Sequence, residues 1–231
     1  MKLKTDYAGH DQLYQKRRAE GKPGWDDGEQ WLAWKAEIEG LMADPAFPQS
    51  GSVLELGCGA GDVVLLFADR GYAVSGIDTS PTAIEWAREK AESSPSTMLG
   101  VKKLKAEFAV GDVTDLGHWD DETFDVVIDG HCLHCIIGED RKKVFAETYR
   151  VLKAGGLFYV NTMCGDPDEP EMAKSFDPKT RCMVVAGLAW RYFGRPEDIL
   201  EEIKSSGFKI ERQEIRTGQG GQRDLIVMAR K

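Results

Sequence analysis

No stretch of the 231 residues approaches the roughly 18 consecutive apolar residues that a bilayer span requires. The opening Met1-Lys2-Leu3-Lys4-Thr5-Asp6 turns polar at once and lacks the apolar centre of a secretory signal, so a cytoplasmic location without membrane association is expected. Cysteine is scarce and odd in number. Five thiols with no paired spacing exclude a disulfide framework of the secreted kind. Histidine is scarcer still: His10 and His118 stand far from His131-Cys132-Leu133-His134-Cys135. Adjacent ligands on one short segment cannot readily surround one ion, so no metal is expected there. Positive charge is in deficit, with 30 basic against 39 acidic residues and a net charge of −9. The one dense basic run, Lys102-Lys103-Leu104-Lys105, reads as the solvated end of a connection. Nucleic acid is therefore a disfavoured substrate and a small molecule the favoured one.

What the chain does have is alternation. Residues 1–50 stand apart, with Trp25, Trp31, Trp34 and a break at Asp44-Pro45-Ala46-Phe47-Pro48. Trp31, Leu32, Trp34, Ile38, Leu41 and Met42 make a helical stripe over Glu29–Met42. The segment reads as an N-terminal helical extension, or lid, on a main domain of residues 51–231. In that domain strands are expected over Val53–Leu56, Tyr72–Asp78, Ala106–Val110, Phe124–Asp129 and Leu157–Thr162. Helices are expected over Gly61–Arg70, from Thr79-Ser80-Pro81 to about Ser93, over Glu139–Leu152, and from Arg195-Pro196-Glu197 to Gly207. Ser93–Gly100 reads as loop, and two last strands, Phe208–Arg216 and Asp224–Ala229, flank a turn at Gly218–Gly221. This α/β alternation implies a mostly parallel sheet covered on both faces, with an antiparallel edge.

The sharpest local signal is Glu55-Leu56-Gly57-Cys58-Gly59-Ala60-Gly61, between a strand and a helix. Glycines at alternate positions let backbone turn tightly and approach a ligand, although a bare strand-to-helix turn would use the same residues. Gly76-Ile77-Asp78 ends the next strand, where a carboxylate can accept from both ribose hydroxyls of an adenosine. Gly111-Asp112-Val113 follows the third strand, where an acid can accept from an adenine amino group. Phe124-Asp125-Val126-Val127-Ile128-Asp129 ends the fourth beside the switch point. Ligands of open α/β sheets sit outside the carboxyl ends of the strands, so these four polar ends converge on one crevice.

With Leu152-Lys153-Ala154-Gly155-Gly156-Leu157 added, this ordered set resembles the class I S-adenosylmethionine (SAM)-dependent methyltransferases over roughly residues 50–231. The resemblance implies a Rossmann-like α/β fold: a seven-stranded, mostly parallel sheet of order 3-2-1-4-5-7-6, its last strand antiparallel, with helices on both faces. It implies SAM as cofactor and S-adenosylhomocysteine as product. Gly57, Gly59 and Gly61 would shape the turn under the methionine part, Cys58 would pack in that loop, and Glu55 would lie near the amino group. Asp78 and Thr79 would hold the ribose, and Gly111, Asp112 and Val113 the adenine. Asp129 and Gly130 would flank the methionine and the acceptor entrance. The implied reaction is methyl transfer to an N, O or S atom of a small molecule. Two rivals stand beside it: a non-catalytic SAM- or nucleotide-binding regulatory module, and a nicotinamide-dependent Rossmann enzyme. The Gly-x-Gly-x-Gly spacing of the loop counts against the latter.

The resemblance also places His131-Cys135 opposite the transferred methyl, where His131 or His134 would orient the acceptor or take its proton, unless they merely pack locally. A likeness to arsenic methyltransferases would need Cys132, Cys135 and Cys164 gathered at the acceptor; buried thiols more often act as small hydrophobes. Tyr14-Gln15-Lys16-Arg17-Arg18 with Gly21-Lys22-Pro23-Gly24-Trp25 resembles the entry segment of thiol, thiopurine and tellurite methyltransferases, in which an N-terminal helix and aromatic residues close over SAM. Trp25 would then face the sulfonium, or pack in the core as Trp31 and Trp34 are expected to do. Residues 164–194, too long for an ordinary connection, form the expected substrate lid; Arg181, Arg191 and Arg195 in and after it would suit an acidic substrate.

Overall fold

The structure is a computed structural model describing residues 4–7, 9–94, 105–218 and 221–231. In chain order its elements are β1 (Lys4–Thr5), α1 (Gly9–Ala19), α2 (Gly28–Ala43), β2 (Ser52–Leu56), α3 (Asp62–Arg70), β3 (Ala73–Asp78), α4 (Pro81–Ser93) and β4 (Ala106–Val110). There follow β5 (Phe124–Gly130), a 3-10 turn (Leu133–Cys135), α5 (Asp140–Val151), β6 (Leu152–Cys164), α6 (Pro170–Ser175), β7 (Phe176–Asp177), β8 (Cys182–Val185), β9 (Leu188–Tyr192), α7 (Pro196–Ser205), β10 (Lys209–Thr217) and β11 (Arg223–Arg230).

Seven strands form one sheet in the order β10-β11-β6-β5-β2-β3-β4. Renumbered within the sheet this is 3-2-1-4-5-7-6, as expected, and β11 runs antiparallel to both β6 and β10. The middle strands are apolar on both faces because helices cover both. Leu54, Leu56, Val127, Phe158 and Val160 join Val144, Phe145, Ile199 and Ile203 of α5 and α7 in one core. Val53, Val126, Ile128, Tyr159 and Ile226 join Ile38 and Leu41 of α2, Val64 and Phe67 of α3 and Ile84 of α4 in the other. Trp31 and Trp34 pack half-buried on this second core, as their helical stripe predicted.

The helix ends follow from local chemistry. Ser80 caps α4, its Oγ accepting from Ala83 N at 3.0 Å with Pro81 in the first turn. Gly71 stops α3 in a left-handed conformation, φ 100°, its N–H returned to Ala68 and Phe67 carbonyls. Of the expected loop Ser93–Gly100, Ser93 ends α4 and Ser94 caps it, while residues 95–100 and most of the basic run 102–105 lie outside the described residues.

Two regions hold more structure than their sequence suggested. Residues 1–50 carry two helices and a strand, α1 having been missed because its polar sequence shows little apolar periodicity. The stretch expected to be irregular or helical from Met163 to Phe193 instead holds the end of β6, one short helix and strands β7 to β9. These strands and β1 make a second sheet of order β1-β9-β8-β7, with β1 parallel to β9. Among the described residues no helix is long and apolar enough to cross a membrane.

Candidate functional site

At the carboxyl ends of β2 to β5 the chain turns through the glycine loop. Gly59 has φ 52°, and a Cβ there would lie 2.4 Å from the Tyr14 hydroxyl of α1. Gly57 has φ 64°, and a Cβ there would meet Cys132 at 2.7 Å. Both positions need glycine for conformation and for space. The turn aims Gly59 N–H at Asp78 Oδ2, 2.9 Å away, while Asp78 Oδ1 accepts from Ser80 N at 2.8 Å. Thr79 lies half-buried between them. Burial pushes the Asp78 carboxyl up despite those two N–H donors.

Glu55, 4% exposed, accepts from Val64 N at 3.1 Å, and a Cβ on Gly130 would stand 3.2 Å from its Oε1. Burial, then the charge of Asp62, raises its carboxyl well above the usual range. Asp129 ends β5, its Oδ1 accepting from Cys132 N at 2.9 Å and Leu133 N at 2.7 Å. Its Oδ2 is buried without a partner, and burial pushes the group up to about 7. Three buried carboxyls with unspent acceptor capacity thus border one glycine turn. Such a site fits a cationic ligand bearing hydroxyl and ammonium donors, as SAM does, since a cation would relieve the burial penalty that all three carry.

At the β4 end, Asp112 Oδ1 accepts from Thr114 N at 2.8 Å and Val113 is buried. A cavity of about 420 Å³ opens there, lined by Gly111, Asp112, Asp115, Gly117 and His118. Cys58 is buried in the loop under Gly76, and Gly61 caps α3. The structure therefore brings Glu55, the glycine loop, Asp78, Asp112, Asp129 and Gly130 to one rim of the sheet, as their strand-end positions predicted.

The two histidine candidates separate sharply. His134 is 2% exposed, and its Nε2 lies 2.5 Å from Arg191 Nη1 of β9. Arginine only donates, so His134 is neutral, with its proton on a buried, unpartnered Nδ1. Burial, then Arg191, lowers its pKa well below the ordinary value. His131, by contrast, stands part-exposed with φ 71°, its Nε2 3.0 Å from Asn161 Oδ1. The thiols do not converge. Cys132 lies under Gly57, Cys135 Sγ accepts from Arg191 at 3.7 Å, and Cys164 bridges to Gly194 at the end of β6. Burial raises all three, Cys135 and Cys164 to about 11, which keeps them protonated. Among the described residues no three His, Cys, Asp or Glu side chains are grouped to hold a metal ion.

Several contributors escaped sequence reasoning. Asp11 of α1 accepts from Ser80 Oγ at 2.6 Å and Thr82 N at 3.0 Å, clamping α1 onto the start of α4. Tyr14 closes over Gly59, with the Trp25 ring tilted against it at 5.1 Å and His10 6.4 Å from both Trp25 and Trp190 of β9. Arg17 holds this arrangement through the Trp25 carbonyl and ring. Only the run Tyr14–Trp25 signalled any of this in sequence. Asn161 and Glu37 carried no signal, being ordinary polar residues of a strand and a helix.

Fold and crevice together define a Rossmann-like domain of the methyltransferase type. Residues 54–160 match the methyltransferase domain family. A demethylmenaquinone methyltransferase of Symbiobacterium thermophilum is 33% identical over 132 residues, 56% of this chain and 48% of that one. A solved Pyrococcus horikoshii OT3 protein is 28% identical with a TM-score of 0.71, covering 89% of this chain and 93% of that one. The Burkholderia thailandensis 1,6-didemethyltoxoflavin-N1-methyltransferase, solved with S-adenosylhomocysteine, shares the fold at a TM-score of 0.69 and 20% identity over 97% of this chain and 86% of that one. Over residues 54–160 the chain is similar to the methyltransferase domain of these proteins. It spans 39 to 56% of the length of the first curated relatives it matches.

Proposed function

We propose that the chain transfers the methyl group of SAM to an N, O or S atom of a small-molecule acceptor. The observation that carries this reading is the Gly59–Asp78 pair at the centre of a glycine turn bordered by three buried carboxyls. Asp78 would hold the ribose hydroxyls, Asp112 and Val113 the adenine, and Glu55 and Asp129 the methionine ammonium. SAM supplies a methyl already activated on a sulfonium, so the protein's work is alignment and exclusion of water. The N-terminal helices and the second sheet are suited to that work as a lid. They meet over the crevice through His10, Tyr14, Trp25 and Trp190. Their aromatic faces suit a small organic acceptor of the kind named for the Burkholderia enzyme. The five free thiols favour a reducing, cytoplasmic setting.

Calorimetric titration tests the cofactor assignment. S-adenosylhomocysteine should bind in the micromolar range and NAD not at all, and Asp78→Ala should weaken binding by about tenfold or more, having lost charge-assisted hydrogen bonds. Equal affinity in the variant refutes the ribose assignment. Screening amines, thiols, phenols and carboxylates for S-adenosylhomocysteine release then identifies the acceptor, and its failure across all classes favours a regulatory module.

A further inference from the structure

We propose that His131 takes the acceptor's proton during transfer, through its Nδ1, and that Glu37 and Asn161 are the positioning residues that set the required tautomer. The inference rests on the methyltransferase reading above and narrows it to protic acceptors.

The argument starts at Glu37 of α2. Its Oε2 is paired with Arg216 at 3.0 Å, and a carboxylate so paired can only accept hydrogen bonds. Its Oε1 takes the Tyr159 hydroxyl at 2.5 Å and Asn161 Nδ2 at 3.0 Å. The amide nitrogen of Asn161 must therefore face Glu37, and the amide oxygen must face the other way. That oxygen lies 3.0 Å from His131 Nε2 and can only accept, so Nε2 carries the proton. The lone pair is left on Nδ1, which makes no hydrogen bond among the described residues, in a ring whose side chain is 37% exposed.

The backbone fixes the same ring. His131 N donates to Asn161 O at 3.0 Å, and φ is 71°, a conformation uncommon for non-glycine residues that His adopts more readily than most. Trp34 of α2 packs its ring 5.9 Å from the imidazole. The residue follows Gly130, where a Cβ would stand 3.2 Å from both Glu55 Oε1 and Trp34, so His131 lies beside the carboxyl-lined crevice.

Charged neighbours from each packed element suit an imidazolium. Asp224 of β11 approaches Nε2 at 3.8 Å with its Oδ1 buried and unpartnered, and Asp26, before α2, is raised by burial with the His131 charge working against that rise. Glu37 lies behind Asn161, and His134 stands 5.4 Å away, neutral. The acceptor's proton passes to Nδ1 as its electron pair takes the methyl carbon. The pair of the broken carbon–sulfur bond stays on sulfur. Acceptor–H and SAM thus give methylated acceptor, S-adenosylhomocysteine and a proton that leaves the imidazolium for solvent.

Nitrogen-15 NMR of the imidazoles in the full chain, without substrate, reads the tautomer directly. His131 should appear protonated on Nε2, and Asn161→Ala should shift it to a mixture of tautomers. An Nδ1-protonated His131 in the parent protein, or no shift in the variant, overturns the proposal. With a protic acceptor from the screen, His131→Asn, which tolerates the positive φ, should cut kcat by about 10² to 10⁴ and abolish the fall in rate at acid pH. S-adenosylhomocysteine affinity should stay unchanged. Full turnover by that variant overturns the proton role alone, whereas a parent protein that binds no S-adenosylhomocysteine overturns the underlying reading.

Discussion

Replacing Arg141 by methionine should destabilise the protein by about 3 kcal/mol, because this buried side chain joins four separate pieces of the fold. Arg141 on α5 is 2% exposed. Its Nε and Nη2 meet both oxygens of Glu202 on α7 at 2.7 to 3.1 Å. Its Nη1 donates to the Leu133 carbonyl at 2.7 Å and leans on that of Ile136 at 3.4 Å, pinning the turn after His131. The guanidinium also stacks 4.4 Å from the Tyr192 ring of β9. Methionine retains the stem volume but leaves two buried carbonyls and one carboxylate without their donor. Breaking a buried pair costs about 3–5 kcal/mol. Glu202, with its side chain 30% exposed, can still turn to water, which places the cost at the lower end. For a chain of this size about 3 kcal/mol lowers the melting temperature by roughly 6–12 °C. Urea and thermal unfolding would measure the loss, and a double-mutant cycle with Glu202→Gln should give a coupling above about 1 kcal/mol. A loss below about 1 kcal/mol, or additive single variants, would refute the account.

Two further outcomes follow from the crevice. Asp129 is raised to about 7, so the fold prefers its protonated form, and the stability it contributes is lost as pH rises from the ordinary carboxylate range through about 7. Asp129→Asn mimics the protonated carboxyl, so its urea midpoint should gain on the parent's between pH 5 and pH 8; a pH-independent difference counts against the buried acid. Gly59→Ala puts an L-residue at φ 52° against Tyr14, costing about 1–2 kcal/mol in backbone strain before any clash. S-adenosylhomocysteine binding should fall with it, and adding Tyr14→Ala should recover only the steric part of the stability. Unaltered binding in the alanine variant would show that the loop tolerates a side chain there.

The seven-stranded sheet was legible because its signals are local. Runs such as Val126-Val127-Ile128, apolar on both faces, can only be interior strands, and Ser80-Pro81 and Gly71 mark helix ends by backbone chemistry alone. The carboxylates were legible for the same reason, each standing at or just past the carboxyl end of a strand. What escaped depends on contacts between distant segments. Strands β7 to β9 are two to five residues long and mostly half-buried, too short for a period-2 pattern. Asp11 looks like any acid in a first turn until α4 is placed beside it. His131 and His134 lie three residues apart and are chemically identical in sequence; only Arg191, 57 residues further on, and Asn161 make one a spent acceptor and the other a free one.

The short parallel ladder between β1 and β9 has a bearing on how the chain assembles during synthesis. Lys4 pairs with Leu188 and Thr5 with Ala189, so two residues wait for partners made about 180 residues later. At ordinary elongation rates that delay is on the order of 10 to 40 s. Strands β2 to β6 are complete before then. The nascent protein therefore passes through an interval with strands β2 to β6 made and β1 still without its partner.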